Sequence, residues 1–203
     1  MRSRLVQSIV VAVLFLAVFG AFAFLGVNNE VAEPSLVDVP SSPQRQVIGL
    51  SVGGRELEVY TYGIGEKRLL FVGGIHGGYE WNGVLLAYMF MDYLERNVQV
   101  IPTNVSVSVI PSLNPDGVRK GVGKEGRFVV DDVSTDKAVL ASARFNANKV
   151  DLNRNFDCKW QPESMWQTKT VSAGTKPFSE PEAMALQKFV LENKPAAVIF
   201  WHS

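Results

Sequence analysis

Apolar and polar positions along the chain change period several times, and each change marks an element. Gln46 to Val52 and Arg55 to Tyr62 are rich in Val, Ile, Leu and Tyr and flank Gly53-Gly54, which predicts two strands joined as a hairpin. Arg68 to Gly74 holds a continuous apolar run, Leu69 to Val72, and reads as a buried strand. From Trp81 to Arg96 the spacing becomes helical, with Val84, Leu85, Tyr88, Met89 and Tyr93 on the apolar face. Val105, Val107 and Val109 alternate with Ser106 and Ser108, a half-buried strand that ends at Pro111. Asn114-Pro115-Asp116-Gly117 follows as a turn signal. Residues 118–149 are polar and without period, and long connections of this kind are often functional. Val150 to Phe156 is too polar for a simple strand, and Cys158 to Lys176 reads as loop. Ser179-Glu180-Pro181-Glu182 has the form of a capping box with proline near the start of a helix. Ala183, Leu186, Phe189 and Val190 give that helix its buried face, and Asn193-Lys194-Pro195 stops it. Ala196 to Trp201 is a last buried strand, leading into His202-Ser203. There is no internal repeat. Helices alternating with apolar strands predict an α/β fold, with a mixed, mostly parallel sheet, flanking helices and some antiparallel strands at one side.

The first residues follow a different pattern. Met1-Arg2-Ser3-Arg4 is basic, and Ile9 to Val27 is apolar apart from two glycines and carries no charge. Ala21-Phe22-Ala23 is a small-x-small cleavage signal of a signal peptide. The apolar run continues through Phe24, Leu25 and Val27, close to the ~20 residues that span a bilayer, which favours an uncleaved membrane anchor. Either reading places the domain outside the cytoplasm, because Arg2 and Arg4 stay inside and no basic residue follows until Arg45. Three segments result: a hydrophobic helix as anchor or signal over 1–27, a Pro-, Ser- and acid-containing linker over 28–45, and a domain over 46–203.

Composition narrows the chemistry. Formal net charge is zero, without the basic excess that a nucleic-acid partner would call for. The single Cys158 excludes an internal disulfide and a multi-cysteine metal site, so any metal must be held by His and carboxylate. Cys158 itself reads as a small buried hydrophobe in preference to an exposed thiol. The chain has only two histidines, and each stands just after a strand-like run: His76 after Val72 and His202 after Phe200.

In open α/β sheets ligands bind beyond the carboxyl ends of strands. If the strands ending near Val72, Val109 and Phe200 are parallel neighbours, both histidines fall on one rim. His76, Glu80 and His202 then form a set of two imidazoles and a carboxylate, the donor set of a catalytic zinc site with one position left open. Zinc there would lower the pKa of water towards ~7 and polarise a carbonyl. Gly77 and Gly78 would let the chain fold back so that Glu80 reaches the ion. Taken singly, His76 is an ordinary turn histidine and Glu80 a carboxylate favoured at a helix start. Gly73-Gly74-Ile75-His76-Gly77-Gly78 as a phosphate cradle lacks the Lys-Ser/Thr ending of a P-loop. Arg144, Asn153 and Arg154 form a second group suited to binding a carboxylate or stabilising an oxyanion, set against the usual fate of solvated loop charges. Asp151 and Asn155 read as turn formers.

These pieces resemble the zinc carboxypeptidases of the carboxypeptidase A type, especially bacterial members. The resemblance rests on Gly74-Ile75-His76 with Glu80, Asn114 to Gly117, Asp151-Leu152-Asn153-Arg154-Asn155-Phe156, Phe178 to Glu182, and His202-Ser203, which occur in family order. It implies that His76, Glu80 and His202 hold one zinc ion. It also implies that Asn153 and Arg154 bind a substrate's terminal carboxylate, and that Arg144 polarises the scissile carbonyl, with Arg119 and Arg127 in the same unpatterned stretch. The implied activity is hydrolysis of a peptide bond near a free C-terminus. Peptides, including cell-wall peptides, are the implied substrates. A succinylglutamate desuccinylase or aspartoacylase-like amidohydrolase shares much of this set, and a non-catalytic zinc- and peptide-binding relative would keep it without a base. Two departures stand out. His76 and Glu80 are one residue further apart than the family's His-x-x-Glu. The family's general-base glutamate, its substrate-contacting tyrosine and its side-chain pocket all fall beyond Ser203, so the matched region resembles the front two-thirds of a catalytic domain.

Overall fold

The computed structural model describes residues 42–203. The expected N-terminal hydrophobic helix and most of the expected linker lie outside the described residues. Among the described residues no helix is long and apolar enough to cross a membrane.

The strands are β1 (Gln44–Leu50), β2 (Glu56–Tyr62), β3 (Lys67–Val72), β4 (Val105–Ile110), β5 (Glu163–Trp166), β6 (Lys169–Ser172) and β7 (Ala197–Phe200). The helices are α1 (Trp81–Arg96), α2 (Pro115–Val122), α3 (Lys137–Ser142) and α4 (Pro181–Asn193). Five strands make the main sheet in the order β1-β2-β4-β3-β7. β4, β3 and β7 run parallel, and the antiparallel pairings β1–β2 and β2–β4 lie together at one side, as the pattern predicts. From β3 the chain crosses to β4 on one flank and later to β7 on the other. The carboxyl end of β3 is therefore the point where strand order reverses, the usual place for a ligand crevice.

Alternation along the strands builds two apolar layers. Leu70 and Val72 of β3 join Val59, Ile110, Leu186 and Phe189 on the face covered by α4. Phe71 turns to the other face, against Phe90 of α1 and Trp201. Burial on both faces corrects the expectation for β4: Ser106 and Ser108 are as buried as the valines between them. The reason is position, since β4 is interior to the sheet, and the Ser108 hydroxyl is satisfied by Thr61 at 2.9 Å.

Other expectations shift for similar reasons. The inward face of α1 is Val84, Ala87, Tyr88, Met91 and Leu94, while Met89 and Tyr93 point to solvent; small Gly83 and Ala87 let the helix lie close to the sheet end. Asn114 to Gly117 opens α2 rather than a free turn, with Pro115 in the first helical turn and the Asn114 carbonyl oxygen Oδ1 accepting from the Gly117 N–H. Residues 158–176 hold the β5–β6 hairpin, whose short strands are too polar to show in the pattern. Cys158 is exposed. The capping box at Ser179 does not form. Glu180 occupies the cap position, the Ser179 hydroxyl donates to Glu180 Oε1, and Glu182 turns inward to accept from Val52 N–H and Asn146 Nδ2.

Glu182 is fully buried, and that burial, with Asp116 nearby adding to it, pushes its carboxyl above the ordinary 4.5. A raised carboxyl favours the folded state while protonated and loses that contribution as pH rises from its unfolded value through its folded one. Urea midpoints of wild type and Glu182→Gln, compared from about pH 4 to 8, should move in favour of the variant as pH rises. A difference independent of pH would contradict the assignment.

Candidate metal centre and its arginines

The corner after β3 is built by backbone that only small residues permit. Gly73 N–H donates to Ile110 O at 2.8 Å, and Leu113 and Asn114 return hydrogen bonds to Gly73 O and Gly74 O. Gly77 has φ +49°, and a Cβ there would meet Ala143 O and Gly117 Cα at 2.7 Å. The chain then makes a single 3-10 turn, Gly77–Glu80, before α1 begins. This turn accommodates the three residues between His76 and Glu80 and leaves the Glu80 carboxylate against the His76 imidazole.

The three expected ligands come together. His76 Nδ1 lies 2.8 Å from Glu80 Oε1, and His202 Nδ1 lies 3.0 Å from Glu80 Oε2. The two imidazole centres are 5.0 Å apart. One donor atom from each residue fits within a 4.8 Å cluster. Ligands at ~2.0–2.1 Å from a tetrahedral ion sit roughly 3.3 Å apart, so the contacts between carboxylate and imidazole are near that spacing. His76 is buried, yet neither of its ring nitrogens makes a well-aligned hydrogen bond. An orphaned buried imidazole whose Nδ1 faces a carboxylate and a second imidazole fits a bound divalent ion such as zinc. His202 is held by β7, which pairs with β3, and by Trp201, whose N–H donates to Val72 O at 3.0 Å.

Behind this cluster sits Asp151, fully buried. Its Oδ1 is 3.5 Å from His76 Nε2 and accepts from Asn153 N–H at 3.1 Å. Its Oδ2 accepts from Arg144 Nε at 3.0 Å and forms an ion pair with Nη2 at 2.9 Å. Asp151 is therefore more than the turn former its sequence context indicated. A carboxylate on the far nitrogen of a ligating histidine fixes its orientation and tautomer. Burial works against the charged forms here, but the partners prevail. Asp151 and Glu80 hold His76 above the ordinary imidazole value, and His76 with Arg144 or His202 holds the two carboxyls below theirs.

Arg144 is buried beside Asp151, with its guanidinium 4.8 Å from the Trp166 ring and 5.8 Å from that of Tyr79. Asn114 braces its backbone, Nδ2 donating to Arg144 O at 3.1 Å. The other two arginines of that stretch go elsewhere: Arg127 pairs with Asp92 and stacks on Tyr88, and Arg119 is exposed on α2. Asn153 and Arg154 are half-buried and line a cavity of about 670 Å³ that also includes Phe156, Trp160 and Phe200. Arg154 donates from Nε to Ser164 Oγ at 3.0 Å and from Nη1 to Asn153 O at 3.1 Å. Asn155 is buried and ties its loop to Ala173, Lys176 and Ser179. The sequence pattern marks Asp151 only as a turn former and gives no sign of Ser164 or Trp166. An Asp two residues before an Asn-Arg pair was the one available signal.

Removing Asp151 leaves the Arg144 charge buried without a partner. Asp151→Ala should destabilise the folded chain by about 3–5 kcal/mol in urea unfolding. Replacing both partners with apolar residues, Asp151→Leu with Arg144→Met, should cost markedly less. A double variant as unstable as the single one would contradict the pairing.

A family model described as zinc carboxypeptidase matches residues 37–203. Among curated relatives, the chain is 29% identical over 171 residues to the bacteriocin BCN5 of Clostridium perfringens, covering 81% of this chain and 17% of that protein. It is 25% identical over 184 residues to gamma-D-glutamyl-L-diamino acid endopeptidase 1 of Lysinibacillus sphaericus, covering 77% and 44%. Among solved structures, the murein-tripeptide amidase of Escherichia coli O157 superposes with a TM-score of 0.55 at 25% identity, covering 79% of this chain and 61% of that one. The chain thus spans less than two thirds of the length of each. With a family match that covers most of its length, and with the fold and ligand geometry above, this chain belongs to the zinc carboxypeptidase family.

Proposed function

We propose that this chain carries the metal centre and both arginine sites of a zinc-dependent metallocarboxypeptidase, which hydrolyses an amide bond close to a free C-terminal carboxylate. The observation that carries this reading is the convergence of His76, Glu80 and His202 in front of the Asp151–Arg144 pair. In this reading those three side chains hold one zinc ion. Zinc bound there supplies Lewis-acid polarisation of a carbonyl and an acidified water.

The remaining work falls to the chain's own residues. Asp151 keeps His76 oriented with Nδ1 towards Glu80. Arg144, with Nε and Nη2 committed to Asp151, presents Nη1 to a carbonyl oxygen as negative charge develops on it. Arg154 has Nε and Nη1 engaged, which leaves Nη2 to donate to a terminal carboxylate, with the Asn153 amide beside it.

Relatives named as a gamma-D-glutamyl-L-diamino acid endopeptidase and a murein-tripeptide amidase support peptides of the cell wall as the substrate class. The apolar segment over residues 9–27 supports an extracytoplasmic site of action, membrane-anchored or secreted.

Binding of short peptides with a free C-terminus and of their C-terminal amides tests the assignment. Arg154→Ala should weaken binding of the acids on the order of tenfold to a hundredfold, as loss of a charged hydrogen bond does, and leave the amides nearly unchanged. Equal weakening of both would refute the role of Arg154.

A further inference from the structure

The β5–β6 hairpin holds none of the residues given a role in the proposed function, yet one face of β5 touches both arginines. Along β5, Glu163 and Met165 are exposed while Ser164 and Trp166 turn inward, the two-residue alternation of a strand. Ser164 accepts from Arg154 Nε at 3.0 Å. Trp166, the next inward residue, lies over the Arg144 guanidinium at 4.8 Å. The hairpin is fastened to the same backbone that carries Asp151: Asp151 N–H donates to Ser172 O at 3.0 Å, and Val171 is buried.

The hairpin also reaches the metal-ligand turn. Tyr79 stands next to Glu80 in the lengthened turn between the ligands, and its ring meets Trp166 edge-on at 5.0 Å. Gln167 Nε2 approaches the Tyr79 hydroxyl at 3.4 Å, and Phe145 also meets Trp166 edge-on at 5.8 Å. Arg144 is thereby held between a carboxylate, which fixes two of its nitrogens, and aromatic faces, which restrict the plane of the guanidinium.

We propose that β5 is the positioning element of the site, with Ser164 orienting Arg154 and Trp166, backed by Tyr79, orienting Arg144. This rests on the reading of the two arginines given above. Ser164 and Trp166 touch arginines rather than substrate, so each acts through its own arginine, and Tyr79, in the turn between His76 and Glu80, supplies part of the aromatic support.

The test uses the zinc-loaded full chain and three related probes: a phosphinic dipeptide with a free C-terminus, its C-terminal amide, and the analogue with methylene in place of the phosphinate. Acid-over-amide preference reads Arg154; phosphinate-over-methylene preference reads zinc and Arg144 together, so its change between variants with equal zinc content reads Arg144. Ser164→Ala should lower the first about threefold or more and spare the second. Trp166→Leu should lower the second by about threefold to tenfold and spare the first, while Trp166→Phe, which keeps a ring, retains most of it. Both variants lowering both preferences alike would mean that the hairpin merely holds the fold together, and would overturn the proposal. So would unchanged preferences. Should Trp166→Leu not fold, Tyr79→Leu is expected to lower the phosphinate preference alone, and an unchanged preference there would overturn the role of the aromatic pair. Arg144→Ala and Arg154→Ala run alongside. If these leave the preferences intact, or wild type shows neither preference, the reading of the arginines fails, and the assignment of β5 fails with it. Intact arginine effects with silent β5 variants would overturn the β5 assignment alone.

Discussion

A carboxylate with no exposure to water, Asp151, lies between an imidazole and a guanidinium, and the rest of the site depends on it. One of its oxygens faces His76 Nε2, the other binds Arg144, and it also caps the turn that presents Asn153 and Arg154. A buried charge of this kind is costly alone and tolerable only with partners, so the three groups stand or fall together. The orientation of His76, the position of the Arg144 guanidinium and the geometry of the loop that carries Asn153 and Arg154 are thereby set by one side chain.

The scaffold around it follows from tight backbone contacts rather than from large side chains. β3 and β7 bring the two histidines to one rim because they are parallel neighbours in register. The turn between His76 and Glu80 lies against Gly117 and Gly121 of α2 and against Ala143, where any side chain on Gly77 or Gly78 would meet backbone at under 3 Å. These contacts place α2 and the Arg144 segment beside the ligand turn. Asn114 completes the link by capping α2 and bonding to Arg144 O.

Much of this was legible in the sequence because the strongest signals were periodic or compositional. The strands β2, β3, β4 and β7, the span of α1 and the convergence of two scarce histidines followed from apolar runs and their ends. The hairpin β5–β6 was not legible, since its strands are short, largely exposed and polar on one face. Its contribution comes from long-range contacts to Arg144 and Arg154 that no local pattern records. Asp151 and Glu182 were misjudged for a related reason. An acid near a turn or at a helix start is usually solvated, and only the tertiary structure shows that these two are buried and partnered. The spacing between His76 and Glu80 departs from the family's, and Gly77 and Gly78 are the sequence signal that the chain can still fold back. The 3-10 turn accommodates this spacing, and Tyr79, beside Glu80, meets the aromatic ring of Trp166.

The ends of β3 and β7 bring His76, Glu80 and His202 together, and in the proposed function they hold a single zinc ion. Metal analysis of the purified full chain after exhaustive dialysis against a weak chelator tests it most directly. About one zinc per chain is expected in wild type, with loss in His76→Ala and in His202→Ala while the fold, followed by circular dichroism, is retained. Equal zinc content in wild type and both variants would contradict the account.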